Sequence, residues 1–200
     1  GDPNQYGLAI TLGAAEVKMI DMAEVYGTIA NSGKKITLDP ILKITDYQGS
    51  LIYQKNISEE KPVINEGVAF IIANILSDNL SRSQAFGINS PLNIPNHTVS
   101  VKTGTSDNKR DNWTIGFTPS RVVAVWVGNN DNSPMSQTLV SGITGAAPIW
   151  NKIMTMLLGN VSDTPLRIPE DIVQKRCLGR IEFFIKGTEG ASMSKQYATI

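Results

Sequence analysis

Two residue types on which site chemistry often rests are nearly missing: the 200 residues include one cysteine, Cys177, and one histidine, His97. A lone thiol excludes an internal disulfide and a cysteine-ligated metal. A metal site would need carboxylates alone, and no acidic cluster is spaced for one. Charge of either sign is not in excess, because Lys plus Arg (18) equals Asp plus Glu (18). The bulk charge therefore gives no pull toward nucleic acid or an anionic membrane. Long apolar runs are absent too; the greasiest stretch, residues 68–76, is broken by Ala and Asn and falls short of a membrane span. No initiator methionine or signal peptide opens the chain, which starts Gly1-Asp2-Pro3. That start is expected of a fragment or a processed piece, so a missing signal carries no information about location. What remains is globular: 41% apolar and 18% charged residues, long enough for one core-bearing domain or one and a half small ones.

Periodicity supplies the elements. Residues 19, 22, 23, 26, 29 and 30 share one helical face, and the helix stops at Asn31-Ser32-Gly33. "KKITLDPILKITDYQGSLIYQ" has hairpin chemistry, with Asp39-Pro40 and Gln48-Gly49 as punctuation. Asn65 can cap a second helix with apolar positions 68, 71, 72, 75 and 76, fading at Ser77-Asp78-Asn79. The segment "SRSQAFGINSPLNIPNH" reads as a loop. Three strands are expected at 98–103, 112–118 and 121–128, antiparallel neighbours because their connections are short. The last, "RVVAVWVG", is apolar on both faces and predicts a central, doubly covered strand. A third helix spans 148–158 with Ile149, Ile153, Met156 and Leu157 inward. From Gly159 onward the pattern weakens, and "GTEGASMSKQYATI" reads as a frayed polar tail. The fold class is α/β, α+β in strict usage: helices flanking an antiparallel sheet. The expected division is residues 1–160 as a domain part and 161–200 as a partly disordered tail that starts a following segment. Half a sheet would leave apolar edge and face exposed, so the piece alone is expected to self-associate or to pair with a missing half.

The opening strand carries the chemistry. Side chains alternate along a strand, so Thr103 and Thr105 share one face while Lys102 and Gly104 share the other. Glycine within a strand weakens it and is expected where a ligand or another backbone comes close. A peptide could add to this edge through main-chain hydrogen bonds. Two hydroxyls could hold a carboxylate, a backbone N–H past the glycine could help stabilise an oxyanion, and Lys102 would supply positive potential. The triple Lys-Thr-Gly alone is weak, arising by chance in roughly one chain in twenty of this length.

Its surroundings are far more specific. "YGLAITLGAAEVKMIDMAEVYGTIANSG", "SRSQAFGINSPLNIPNHTVSVKTGTSDNKRDNWTIGFTPSRVVAVWVGNNDN" and "SGITGAAPIWNKIM" each resemble the transpeptidase domain of bifunctional (class A) penicillin-binding proteins. The similarity runs in order over about residues 6–158, and "RCLGRIEFFIKGTEG" echoes a segment beyond that domain in some members. Lys-Thr-Gly is the third motif of this family, beside Ser-x-x-Lys and a Ser-x-Asn loop. The resemblance implies a β-lactamase/transpeptidase-like fold of which this chain is the C-terminal half. It also implies a serine acyl-enzyme mechanism whose nucleophile precedes residue 6 and is therefore absent here.

Four candidate replacements for the missing motifs fail on local grounds. Ser32 and Lys35 straddle a helix end and cannot share a helical face. Ser192 and Lys195 lie in the polar tail, downstream of the strand they should precede. Ser77-Asp78-Asn79 falls in a fading helical turn, and Ser106-Asp107-Asn108 follows the strand too closely to face it across a cleft. Trp113 and Trp126 read as core or cleft-lining aromatics and His97 as structural or exposed. Lys109, Arg110 and Asp111 read as a solvated hairpin turn, which by the resemblance borders the cleft and could touch substrate. Sequons at Asn56, Asn96 and Asn112 carry nothing in a bacterial protein, the source that the resemblance implies.

By the same resemblance the parent protein cross-links peptidoglycan stem peptides ending in D-Ala-D-Ala and is acylated by β-lactams. Lys102 would act electrostatically; Thr103, Gly104 and Thr105 would bind substrate; the Thr105 N–H would form half of an oxyanion hole. No cofactor is implied. The expected partners are the missing N-terminal half, an upstream glycosyltransferase domain and a membrane anchor, with an extracytoplasmic location. Two alternatives stand beside this: a serine β-lactamase fragment, against which the long stretch after Gly104 counts, and a non-catalytic homologue acting as a binding module.

Overall fold

The computed structural model describes residues 7–13, 15–56, 61–136, 141, 143–177 and 179–190. Among the described residues four α-helices and seven strands follow one another: α1 (Met19–Ala30), β1 (Lys43–Thr45), β2 (Leu51–Gln54), α2 (Glu66–Ser77), α3 (Asn79–Phe86), β3 (Ser100–Thr105), β4 (Asp111–Thr118), β5 (Arg121–Gly128), α4 (Ala146–Leu158), β6 (Ile172–Cys177) and β7 (Arg180–Ile185). The strands form three antiparallel sheets, β1-β2, β3-β4-β5 and β6-β7. Among the described residues no helix is long and apolar enough to cross a membrane.

Local chemistry sets the boundaries. Gly33 ends α1 with φ of 82°, a left-handed conformation that costs glycine little, and its N–H bonds back to the Thr28 carbonyl. Asn65 caps α2 by accepting from the Val68 N–H at 3.0 Å. In the turn between β1 and β2, the Asp46 carboxylate accepts from the Gln48 and Ser50 N–H groups, the turn chemistry that this stretch predicts.

The sheet β3-β4-β5 is covered on both faces. On one, Trp150 of α4 lies against Gly116 of β4, where a Cβ would overlap the indole ring. Val99, Val101, Val123, Val125, Ala147 and Met154 complete that core. On the other face Tyr26 of α1 meets Phe117 edge to face at 6.0 Å, and the buried Ser100 hydroxyl donates to the Ala73 carbonyl of α2. Helices α1 and α4 both pack on β5. The expectation of a doubly covered strand therefore holds for its faces, but among the described residues β5 is not central: β4 lies in the middle of this sheet and β5 pairs with β4 alone. An apolar run reports what covers a strand's faces and says nothing of its edges.

Four other expectations are corrected. Residues 79–86 form α3 instead of a loop, because Asp78 caps it by accepting from the Ser81 N–H at 2.9 Å. Helix α2 turns Gly67, Ala69, Phe70 and Ala73 inward and leaves Val68 and Ile75 exposed, since small residues let it approach the sheet. Helix α4 buries Ala146, Ala147, Trp150, Met154 and Leu158, one position round from the expected stripe, with Ile149, Met156 and Leu157 exposed. Residues 172–185, read as patternless, form the hairpin β6-β7. Its Phe183 meets Phe70 of α2 at 5.1 Å, and Arg180 reaches the Asp78 carboxylate at 2.9 Å. Burial pushes the Asp78 carboxyl up, yet the Ser81 hydroxyl and N–H and the Arg180 guanidinium together hold it below its ordinary 3.8. The tail beyond residue 190 lies outside the described residues.

Candidate active site

Strand β3 runs from 100 to 105, two residues later than its pattern predicts, so that all of Lys102, Thr103, Gly104 and Thr105 lie within it. It pairs only with β4 among the described residues, Lys102 opposite Ile115 and Thr105 opposite Asn112. In an antiparallel ladder the hydrogen-bonded pairs alternate. Because the Ser106 N–H bonds the Asp111 carbonyl at 3.0 Å, the bonded positions are 106, 104 and 102. Thr103 and Thr105 therefore turn their N–H and C=O groups away from β4, to the open side. The Lys102 Nζ donates to that outward Thr103 carbonyl at 2.5 Å.

The side chains divide as the alternation requires. Lys102 and Gly104 lie on the face of Trp113 and Ile115, while Thr103 and Thr105 lie on the face of α4, beside Thr114 and Asn112. Lys102 and Thr105 are exposed and Thr103 is half-buried. A Cβ at Gly104 would meet only the Trp113 Cβ, at an ordinary 3.7 Å, so the chain itself leaves that space open.

The turn after β3 is tied down and not freely solvated as expected. The Ser106 hydroxyl donates to the Asp111 carboxylate at 2.9 Å, the Trp126 indole N–H donates to the same carboxylate at 2.9 Å, and Arg110 donates to the Asn132 carbonyl. The Met135 N–H bonds the Lys109 carbonyl, joining the turn to the loop after β5. Trp113 and Trp126 stand opposite each other on β4 and β5, both half-buried.

Two of the rejected serines are engaged elsewhere: Ser77 donates to the Asn74 carbonyl and Ser106 is engaged with Asp111. Ser32 sits just past α1 at φ of 55°. Ser192 and Lys195 lie outside the described residues. His97 brings its Nδ1 to 4.0 Å from Asp163, whose carboxylate also accepts from the Thr98 N–H and hydroxyl, a structural clasp away from β3. Among the described residues no group of His, Cys, Asp and Glu is placed to hold a metal ion.

One residue at the site escapes sequence reasoning. Asn112 is 0% exposed; it accepts from the Ala146 N–H and donates to the Ser141 carbonyl and the Thr105 hydroxyl. In the sequence it stands out only as part of a sequon.

The family described as the penicillin binding protein transpeptidase domain matches residues 4–155. Penicillin-binding protein 1A of Neisseria flavescens is 32% identical over 170 residues, covering 83% of this chain and 21% of its own length. The crystal structure of penicillin-binding protein 1A from Haemophilus influenzae superposes with a TM-score of 0.79 at 24% identity, over 90% of this chain and 34% of its own. Penicillin-binding protein A from M. tuberculosis, solved as an imipenem acyl-enzyme complex, superposes with a TM-score of 0.53 at 22% identity, over 68% of this chain and 30% of its own. The chain thus spans about a fifth of the length of the curated relative and a third of the solved ones.

Proposed function

The chain belongs to the penicillin-binding-protein transpeptidase family, and from that membership we propose that it forms the Lys-Thr-Gly wall of a peptidoglycan D,D-transpeptidase site. The observation that carries this is the open side of β3, where the N–H groups of Thr103 and Thr105 face outward beside an exposed Lys102. The serine nucleophile and the Ser-x-Asn loop come from polypeptide outside this chain. The serine Oγ attacks the carbonyl of the penultimate D-alanine, the C–N bond to the last D-alanine breaks, and D-alanine leaves with the proton taken from the serine. An amine of a neighbouring stem peptide then displaces the serine ester. A β-lactam acylates the same serine by ring opening, as the imipenem acyl-enzyme of the mycobacterial relative illustrates for that protein.

Each residue of β3 has a role suited to its position. The outward Thr105 N–H supplies one oxyanion donor, preorganised because the ladder fixes its direction. The Thr103 and Thr105 hydroxyls, on the α4 face, hold the substrate carboxylate. Lys102, across the strand, raises the acidity of the Ser-x-Asn serine, and Gly104 leaves room for the reacting peptide. The same reading takes stem peptides and β-lactams as ligands. An N-terminal half of the domain, a glycosyltransferase domain and a membrane anchor are its partners, on the extracytoplasmic side.

Fluorescent penicillin tests the proposal. The full-length protein encoded with this segment should be labelled covalently and stably, and the 200-residue chain alone should not. An unlabelled full-length protein would refute the transpeptidase reading, rapid loss of label would point to a β-lactamase, and a labelled fragment would show that one of the rejected serines is the nucleophile.

A further inference from the structure

Asn112 is a buried hub between the candidate site and the start of α4. Its Oδ1 accepts from the Ala146 N–H at 2.6 Å, the first residue of the helix. That helix start settles the orientation of the amide, because an unsatisfied N–H needs an acceptor and only the oxygen can serve. The amide NH2 is left facing two acceptors, the Ser141 carbonyl at 3.0 Å and the Thr105 Oγ1 at 3.0 Å. Both amide protons are then in use. A Cβ at Gly145 would overlap the amide oxygen, so the approach depends on a glycine at that point.

The consequence falls on Thr105. Its oxygen receives a proton from Asn112, so its own proton must leave in another direction. Among the described residues nothing accepts it, and the side chain is exposed at the open strand. We propose that Asn112 is a positioning residue that makes the Thr105 hydroxyl a hydrogen-bond donor to the ligand's carboxylate. The inference rests on the transpeptidase reading above, since it concerns how that reading's carboxylate site is oriented. As an acceptor for the start of α4 a carboxylate would serve, though without the bond to the Ser141 carbonyl; as a residue that orients Thr105 it would not. In Asn112→Asp the helix keeps its acceptor, but no N–H faces Thr105, and the hydroxyl turns inward to donate to the new carboxylate. Asn112→Ser gives a second, uncharged test: its hydroxyl stops one bond short of the amide atoms, so both the Thr105 contact and the Ala146 contact are lost without adding charge.

The experiment uses the full-length protein and compares benzylpenicillin with its methyl ester, each competing against fluorescent penicillin. The readout is the ratio of the two acylation rates, which isolates recognition of the carboxylate. Asn112→Asp and Asn112→Ser should each lower that ratio about tenfold or more, the loss expected when a hydrogen bond to a charged group is removed. Thr105→Val should lower it similarly, and adding Asn112→Ser to Thr105→Val should lower it no further. Rates that fall together at constant ratio in both Asn112 variants, or a ratio that does not move, would overturn the inference while leaving the transpeptidase reading intact. A ratio unmoved by Thr105→Val would instead refute the assignment of Thr105 to the carboxylate.

Discussion

Alanine in place of Gly104 should stabilise the protein and impair the site at once. The backbone there is ordinary extended strand, since Gly104 is not among the glycines with positive φ. Its added Cβ would meet only the Trp113 Cβ at 3.7 Å, a normal contact. Replacing glycine by alanine where the fold tolerates it lowers the entropy of the unfolded chain and gains about 0.4–1 kcal/mol. For a domain of this size that raises the melting temperature by about 1–4 °C. The new methyl projects onto the face of Lys102, where the proposed function brings the reacting acyl group and the serine together. Overpacking of that kind costs about 1–3 kcal/mol, so acylation by fluorescent penicillin should slow about fivefold or more. Differential scanning calorimetry and labelling kinetics on the same full-length variant read the two effects separately. A lower melting temperature would mean that the space over Gly104 is already filled. An unchanged acylation rate would mean that nothing approaches the strand on that face.

Gly116→Ala, in the neighbouring strand, should do the opposite. Its Cβ would overlap the Trp150 ring and lie 3.0 Å from the Ser100 carbonyl, so thermal melts should show a loss of about 1–3 kcal/mol. Asp78→Ala removes the cap of α3 and frees Arg180; chemical denaturation should show about 0.5–2 kcal/mol lost, and the hairpin β6-β7 should become the first segment to exchange its amide hydrogens. Because the Asp78 carboxyl is held below its ordinary value, its contribution is complete above pH 3.8 and is lost as the pH falls through the lower folded value, so an acid titration of stability should lose that component in Asp78→Asn. With Ile75 at 65% and Met156 at 76% exposure on two helix faces, the isolated chain should associate with copies of itself; a monodisperse monomer in light scattering across concentration would refute this.

Much of this was legible because it is local. The end of α1 at Gly33, the Asn65 cap, the turn at Gln48-Gly49 and the three strands of the main sheet follow from residue types within a few positions of each feature. The inward faces of α2 and α4 were not legible, because both helices are apolar nearly all round and periodicity cannot choose between adjacent stripes. Distant partners choose: Gly116 admits Trp150, and Ala73 lies close enough to receive the Ser100 hydroxyl. Helix α3 and the hairpin β6-β7 hid for a related reason, since they hold each other through Asp78 and Arg180, about a hundred residues apart in sequence. At the site, alternation alone divides Lys102 and Gly104 from Thr103 and Thr105, while the roles expected of them came from the family resemblance. Asn112 could not, because its importance depends on Gly145, whose missing side chain lets a helix start come within reach.

The open side of β3 also explains a tension in the strand's composition. Exposed edges invite unwanted pairing, and proteins defend them with charge, bulges or proline. Here residues 100–105 pair with β4 in unbroken register, without a bulge or a proline, and Lys102 is the single charge. The lysine amine lies on the outward Thr103 carbonyl, so it satisfies the acceptor that an arriving strand would seek. A peptide adding to this edge would offer its own N–H to that carbonyl and release the amine into the space beside Gly104. Under the proposed function, defence and recognition would use the same group, and lysine suits both because its flexible stem lets one charge serve two positions in turn. Glutamine at 102 could still cover the carbonyl but would bring no charge to the site, so the edge would stay guarded while the electrostatic role proposed for Lys102 would be lost, as slower acylation by fluorescent penicillin would show.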